Sequence, residues 1–348
     1  MILYNEIHEQ PSVIRRLLEN ESGNIHEIIA HLHHSGDQTA YNYLLIAARG
    51  SSDNAARYAQ YLFGARNRLP VALATPSLFS LYHQPPDLTG ALLLGISQSG
   101  KSPDIVSVNA EGKRQGRPTL AITNIADSPL AQASDYTIDL NAGPEKAIAA
   151  TKTYTSSLGA LALLSAARSG EAESLEQLKQ MPTWMEKCLE GIESYLPRVE
   201  RYRYMSHCIV IGRGYNYATA FEIALKIKEL TRTITEPYSS ADFRHGPIAL
   251  VTEGFPVIVV APGGAVSADV SDLIDEVKRR GAELLIISEQ ESLLEKADLP
   301  LPIPAGIPEW LTPLVAVIPG QLFSMALAQA RGFNPDQPLG LTKVTETL

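Results

Sequence analysis

The sequence predicts an α/β protein made of two tandem, doubly wound parallel-sheet units, each a three-layer α/β/α sandwich, related by internal duplication. Three observations carry that prediction. Apolar runs such as ALLLGI at residues 91–96 lack polar alternation, as strands covered on both faces do. These runs alternate with loops and helix-like segments, the pattern of a doubly wound sheet. The chain also aligns with itself. Residues 44–63, LLIAARGSSDNAARYAQYLF, resemble 208–227, CIVIGRGYNYATAFEIALKI, with Gly50 over Gly214 at an offset of 164 (214 − 50). ALLLGISQSG from Ala91 resembles FPVIVVAPGG from Phe255 at the same offset (255 − 91). Two separate segments sharing one offset indicate a repeat.

Taken in order, residues 1–24 form an N-terminal segment. The first unit, 25–175, opens with the strand at Leu44, whose carboxyl end carries Arg49-Gly50-Ser51-Ser52 before a helix. The strand at Ala91 stops at Ser97-Gln98-Ser99-Gly100-Lys101-Ser102. There Ser102 reads as an N-cap and Pro103 as the first residue of a helix running to about Gln115. Gln115-Gly116 ends that helix ahead of a strand, TLAITN. Residues 151–169 read as a long helix closing the unit, and the charge-richer stretch 176–204 as a helical linker. The second unit, 205–333, repeats the plan. Arg213-Gly214-Tyr215-Asn216 and Ala261-Pro262-Gly263-Gly264 stand at the matching strand ends, and a final helix covers about 310–331. The tail, 334–348, is rich in Pro and Gly, and composition predicts it to be disordered.

With 348 residues the chain is long enough for two domains with buried cores. A net charge of −9 argues against a nucleic-acid partner, which wants a basic face. The opening residues MILYNEIHEQ lack a basic stretch followed by an apolar one, so no secretion signal is expected, and no uninterrupted apolar run approaches the length of a membrane span. Two cysteines, Cys188 and Cys208, make no disulfide framework, so a cytoplasmic setting is expected. The eight histidines, His33 and His34 included, show no ligand spacing; neither metal nor cofactor is expected.

A strand that runs into hydroxyls and glycine and then a helix start is suited to an anion. The first N–H groups of a helix lack internal partners, and its dipole favours negative charge there. Residues 95–102, GISQSGKS, do spell GxxxxGK[ST], while GxGxxG does not occur there; with serines at 97, 99 and 102 around the turn, the expected ligand is a small phosphorylated molecule rather than a nucleotide. The copy of this loop in the second unit has lost the three serines.

These features, with AIAATK, ALKIKEL, DFRHGP and NPDQPLGLTK in order, resemble the sugar isomerase (SIS) family. Within it they resemble the isomerase half of glucosamine-fructose-6-phosphate aminotransferase, over about residues 10–348. The resemblance implies that Ser97, Gln98, Ser99 and Ser102 hold a sugar phosphate, with Gly50, Ser51, Ser52, Ala149, Ala150 and Lys226 also lining the substrate. It implies that Glu229 shuttles a proton between C1 and C2. His245, from a neighbouring subunit, would open the sugar ring, and Lys343 would form a Schiff base and close over the site. A homodimer follows from the shared histidine. Read from the residues alone, Glu229 and Lys226 also fit a surface helix pair, and Lys343 a solvated tail lysine. The chain departs from the aminotransferase at Arg49, Lys101 and Ala150, where that enzyme has cysteine, glutamate and serine. Residue 2 is Ile2 where the aminotransferase places its glutaminase cysteine.

The expected activity is therefore an isomerising deaminase that turns glucosamine 6-phosphate into fructose 6-phosphate and ammonia. Alternatives are a galactosamine-6-phosphate deaminase, a phosphorylated-fructosamine deglycase, and a sugar-phosphate-binding regulator without turnover. The expected partner is a small phosphorylated aminosugar or ketose.

Overall fold

The computed structural model describes residues 1–34 and 41–343, and among them two five-stranded parallel sheets carry the fold. Helices α1 (Ile2–His8) and α2 (Gln10–His34) lead into β1 (Tyr43–Ala47), α3 (Ser51–Asn67), β2 (Val71–Leu73) and α4 (Ser77–Ser80). Next come β3 (Ala91–Ile96), α5 (Pro103–Arg114), β4 (Thr119–Thr123), α6 (Pro129–Gln132), β5 (Tyr136–Asp139) and α7 (Lys152–Ser169). Helices α8 (Ala172–Lys179) and α9 (Met181–Ile192) and a 3-10 stretch (Glu193–Tyr202) precede the second sheet. It is formed by β6 (His207–Gly212), α10 (Tyr217–Thr231), β7 (Ile234–Ser239), α11 (Ser240–Arg244), β8 (Pro256–Val260) and α12 (Ser267–Arg279), followed by β9 (Glu283–Ser288), α13 (Glu291–Leu294) and β10 (Leu299–Pro302). Helix α14 (Thr312–Ala330) ends the regular structure.

The strand orders are β2-β1-β3-β4-β5 and β7-β6-β8-β9-β10, so the two sheets share one topology, as duplication requires. All pairings are parallel; Leu45 lies opposite Leu93, and Ile209 opposite Val257. Every residue of β3 and β4 is buried, because helices cover both faces. One face of the first sheet packs Leu45, Leu93 and Ala121 on Ile105, Val108 and Leu130. The second sheet likewise sets Ile211, Val259 and Ile286 against Leu273, Ile274 and Val277. Burying each such side chain is worth roughly 1.5–3 kcal/mol, which is what holds the layers together. In this topology the chain changes direction between the first and third strands of each sheet. The crevice at their carboxyl ends is where such folds take ligands.

Two compact units hold these sheets. One comprises Met1–Pro11, Lys146–Thr151 and Met181–Leu341; the other comprises Ser12–Glu145, Lys152–Gln180 and the chain from Thr342.

Within the expected helical linker 176–204, residues 181–192 form helix α9, in which Met181, Met185, Cys188 and Ile192 make a buried stripe, and α9 packs on α14 and β10 within the second-sheet unit. Two expectations are corrected. Helix α2 runs without a break through 24 and 25, because buried Val13, Ile14, Leu17, Ile25 and Ile28 keep one helical stripe going. An apolar segment long enough to cross a membrane does exist, Glu309–Ala330, but 94% of its apolar window is buried inside the protein, as a central core helix requires.

Candidate active site

In the first-sheet unit, β3 delivers the chain directly into the serine loop. Gly100 adopts φ +62°, and a Cβ there would collide with Ser128 Oγ, so the turn needs glycine. The Gly100 N–H donates to the Ser97 hydroxyl at 3.1 Å, and the Lys101 N–H to the Ser99 hydroxyl at 3.3 Å. The Gln98 carbonyl accepts from the Asn124 N–H at 3.1 Å and pins the loop to the end of β4. Ser102 is the N-cap of α5 with Pro103 behind it, yet its hydroxyl does not close on the helix. Among the described residues the Ser99 and Ser102 N–H groups and the Ser102 hydroxyl have no hydrogen-bond partner. They are donors presented at a helix N-terminus, which is what an anion needs.

Beside this loop, at the end of β1, Gly50 takes φ +55° and starts α3, with Ser51 and Ser52 in its first turn. Arg49 Nε lies 2.9 Å from Oδ2 of Asp104, a fully buried carboxylate in the first turn of α5. Lys101 is exposed.

Lys343 is not a loose tail lysine. Its Nζ sits 2.8 Å from Glu145 Oε2, and the buried Glu145 carboxylate also accepts from the Thr153 N–H (3.1 Å) and hydroxyl (2.7 Å) at the start of α7. Earlier in the tail, Asp336 accepts from the Ile2 and Leu3 N–H groups at 3.0 and 2.8 Å, capping α1. The expectation of disorder is therefore corrected for residues 334–343: composition reveals missing helix and strand, but not long-range polar anchors. Residues 344–348 of the expected lid lie outside the described residues.

In the second-sheet unit, α10 stacks three charges. Lys226 is buried, with Nζ 2.5 Å from Glu229 Oε2 and 3.4 Å from Oε1 of the fully buried Glu222. Glu229 stays a quarter exposed. Burying a lysine is costly unless it is paired, and here two carboxylates one turn away on either side share it. The result is a carboxylate open to a ligand and backed by a cation, suited to taking up and returning a proton.

His245 follows α11 as its C-cap, exposed, with no side-chain partner among the described residues; no contact joins it to Glu229. Its neighbour Arg244 is held by Asp269 at 2.8 Å. Ala149 is buried and Ala150 half-buried. The segment before them is fixed by Glu6, which accepts from the Lys146 and Ala147 N–H groups at 2.5 and 3.2 Å.

The structure thus joins Glu229 with Lys226 and gathers Ser97, Gln98, Ser99 and Ser102, but leaves His245 apart. Sequence reasoning missed Glu222 and Glu145. Glu222 had a signal, its place four residues before Lys226. Glu145 had none, because 198 residues separate it from Lys343.

The SIS domain family matches this chain twice, at residues 41–167 and 203–331. The isomerizing glutamine–fructose-6-phosphate aminotransferase of Gloeobacter violaceus is 36% identical over 98% of this chain, which spans 58% of that relative's length. Among solved structures, the C-terminal domain of glucosamine-fructose-6-phosphate aminotransferase from Francisella tularensis superposes with a TM-score of 0.86 at 27% identity, covering 97% of this chain and 98% of that one. The glucosamine-6-phosphate deaminase of Thermotoga maritima shares the fold, with a TM-score of 0.76 at 24% identity over the full length of both chains. The repeated sheet, the paired strand-end loops and these matches agree: the chain belongs to the SIS domain family.

Proposed function

We propose that this chain isomerises a hexosamine 6-phosphate and releases its nitrogen as ammonia. The observation that carries the reading is the Glu222–Lys226–Glu229 stack, which leaves one carboxylate free to act on carbon-bound protons. The serine loop holds the phosphate. His245 moves the O1 proton to the ring oxygen, opening the sugar to its aldehyde. Glu229 then removes the proton on C2 while O1 is protonated, giving a C1–C2 ene-aminol. Lys226 steadies the charge that develops. Returning the proton to C1 leaves a C2 imine, and water converts it to the ketose and ammonia. Lys343 has Glu145 beside it to accept the proton it must lose before attacking a ketose carbonyl.

The exposed, unpartnered His245 supports its use by a second copy of the chain, which sizing of the purified protein tests.

Incubation with glucosamine 6-phosphate and no glutamine is expected to yield ammonia and fructose 6-phosphate in equal amounts; absence of both defeats the reading. Galactosamine 6-phosphate and phosphorylated fructosamines, compared by kcat/KM, separate the neighbouring activities. Glu229→Gln is expected to keep sugar-phosphate binding and lose roughly 10²–10⁴ in turnover. Unchanged turnover removes Glu229 from the role of base.

A further inference from the structure

Each copy of the fold carries an arginine at the end of its first strand, Arg49 after β1 and Arg213 after β6, 164 residues apart (213 − 49). Each pairs with an aspartate in the first turn of the helix after the third strand, Asp104 in α5 and Asp269 in α12. The two pairs present opposite ends of the guanidinium. Arg213 uses its outer fork internally: Nη1 lies 3.2 Å from Asp269 and donates to the Ser240 hydroxyl at 3.1 Å. Arg49 pairs through Nε, and among the described residues its two Nη groups have no hydrogen-bond partner, on a side chain 51% exposed.

Asp104 Oδ2 lies beside Nε without a hydrogen bond to it, so the pair holds the guanidinium by charge while leaving its fork available, and that fork matches two oxygens of a phosphate. The need for a cation follows from magnitude. A helix terminus offers the equivalent of about half a positive charge, while a phosphomonoester carries nearly two negative ones, in a chain of net charge −9. Asp104 lies only two residues beyond Ser102, so the fork stands beside the serine loop. We propose that Arg49 belongs to the anion cradle and grips the phosphate of a phosphomonoester substrate through its Nη fork. This rests on the reading of residues 97–102 as the phosphate loop.

Calorimetric titration of the full chain with inorganic phosphate tests it. Arg49→Lys keeps a cation for Asp104 but has no fork, and is expected to weaken phosphate about tenfold or more. Its melting temperature should stay near that of the wild type. Arg49→Gln combined with Asp104→Asn, which removes the buried charge together with its partner, is read if the lysine variant does not fold. Ser99→Ala with Ser102→Ala is the control for the loop. Wild-type phosphate affinity in the Arg49 variants, with loss in the serine variant, overturns the proposal and leaves the loop reading standing. Wild-type affinity in the serine variant overturns both.

Discussion

The loops after β3 and β8 occupy the same place in duplicated sheets, yet one is open and the other is filled by the protein itself. In the first, the Ser102 hydroxyl and the Ser99 and Ser102 N–H groups have no partner among the described residues. In the second, the Gly263 N–H donates to Glu289 at 2.7 Å and the Ala265 N–H to Glu309 at 3.0 Å. Both are strand-to-helix turns with backbone donors aimed at an anion. The second has its anions built in, and a tethered carboxylate competes with free ligand at a very high effective concentration. The repeated fold has two such turns: the one with serines is open, and the one without them is closed by Glu289 and Glu309.

The sharpest test of this contrast lies in the loop glycines. Gly100→Ala forces a side chain into the Ser128 hydroxyl at φ +62°, and should abolish phosphate binding measured by titration. Gly264→Ala meets Glu309 in an equally crowded place, but should lower only the melting temperature. Loss of phosphate binding in Gly264→Ala would break the distinction between the loops. A smaller effect is expected from Glu289→Gln with Glu309→Gln. Weakening two charge-assisted hydrogen bonds should cost about 1–3 kcal/mol in denaturant unfolding, with phosphate still binding at one per chain. A second phosphate would show that the closed loop retains its old capacity.

The smallest effect concerns Asp269 in the first turn of α12. Burial pushes its carboxyl up, but Ser240, Arg213 and Arg244 outweigh this and hold it below the usual 3.8. A depressed carboxylate stabilises the fold above its ordinary value and loses that contribution as pH falls through the folded one. The stability gap between wild type and Asp269→Asn should therefore be present at neutral pH and shrink below pH 3.8. A gap that persists in acid would mean that Asp269 acts through packing.

Much of this was legible in the sequence because central parallel strands write unbroken apolar runs. β1 and β6 begin 164 residues apart (207 − 43), as do β4 and β9 (283 − 119). The edge strands were harder: β2 is three residues long and only half covered, so it leaves no periodic trace. In the site, Lys226 and Glu229 share a helix and their spacing could be read. The partners of Lys343, Arg49 and Gly263 could not, because those contacts are made by the fold and have no local signature. Polar anchors such as Asp336 on α1 join chain ends 333 residues apart, beyond any windowed pattern.

The unit built on the second sheet also takes Met1–Pro11 and Lys146–Thr151 from the first half of the chain. There the buried Gln10 side chain donates to Gln321 of α14 at 2.9 Å, and Leu3 and Ile7 are buried. Cutting the polypeptide at the repeat boundary would therefore not yield two autonomous halves. A fragment starting near residue 181 would leave Gln321 without its partner and uncover the bed of α1. The repeat runs end to end along the sequence, but the compact units take strips of chain from across its boundary. The units of repetition and the units of packing do not coincide.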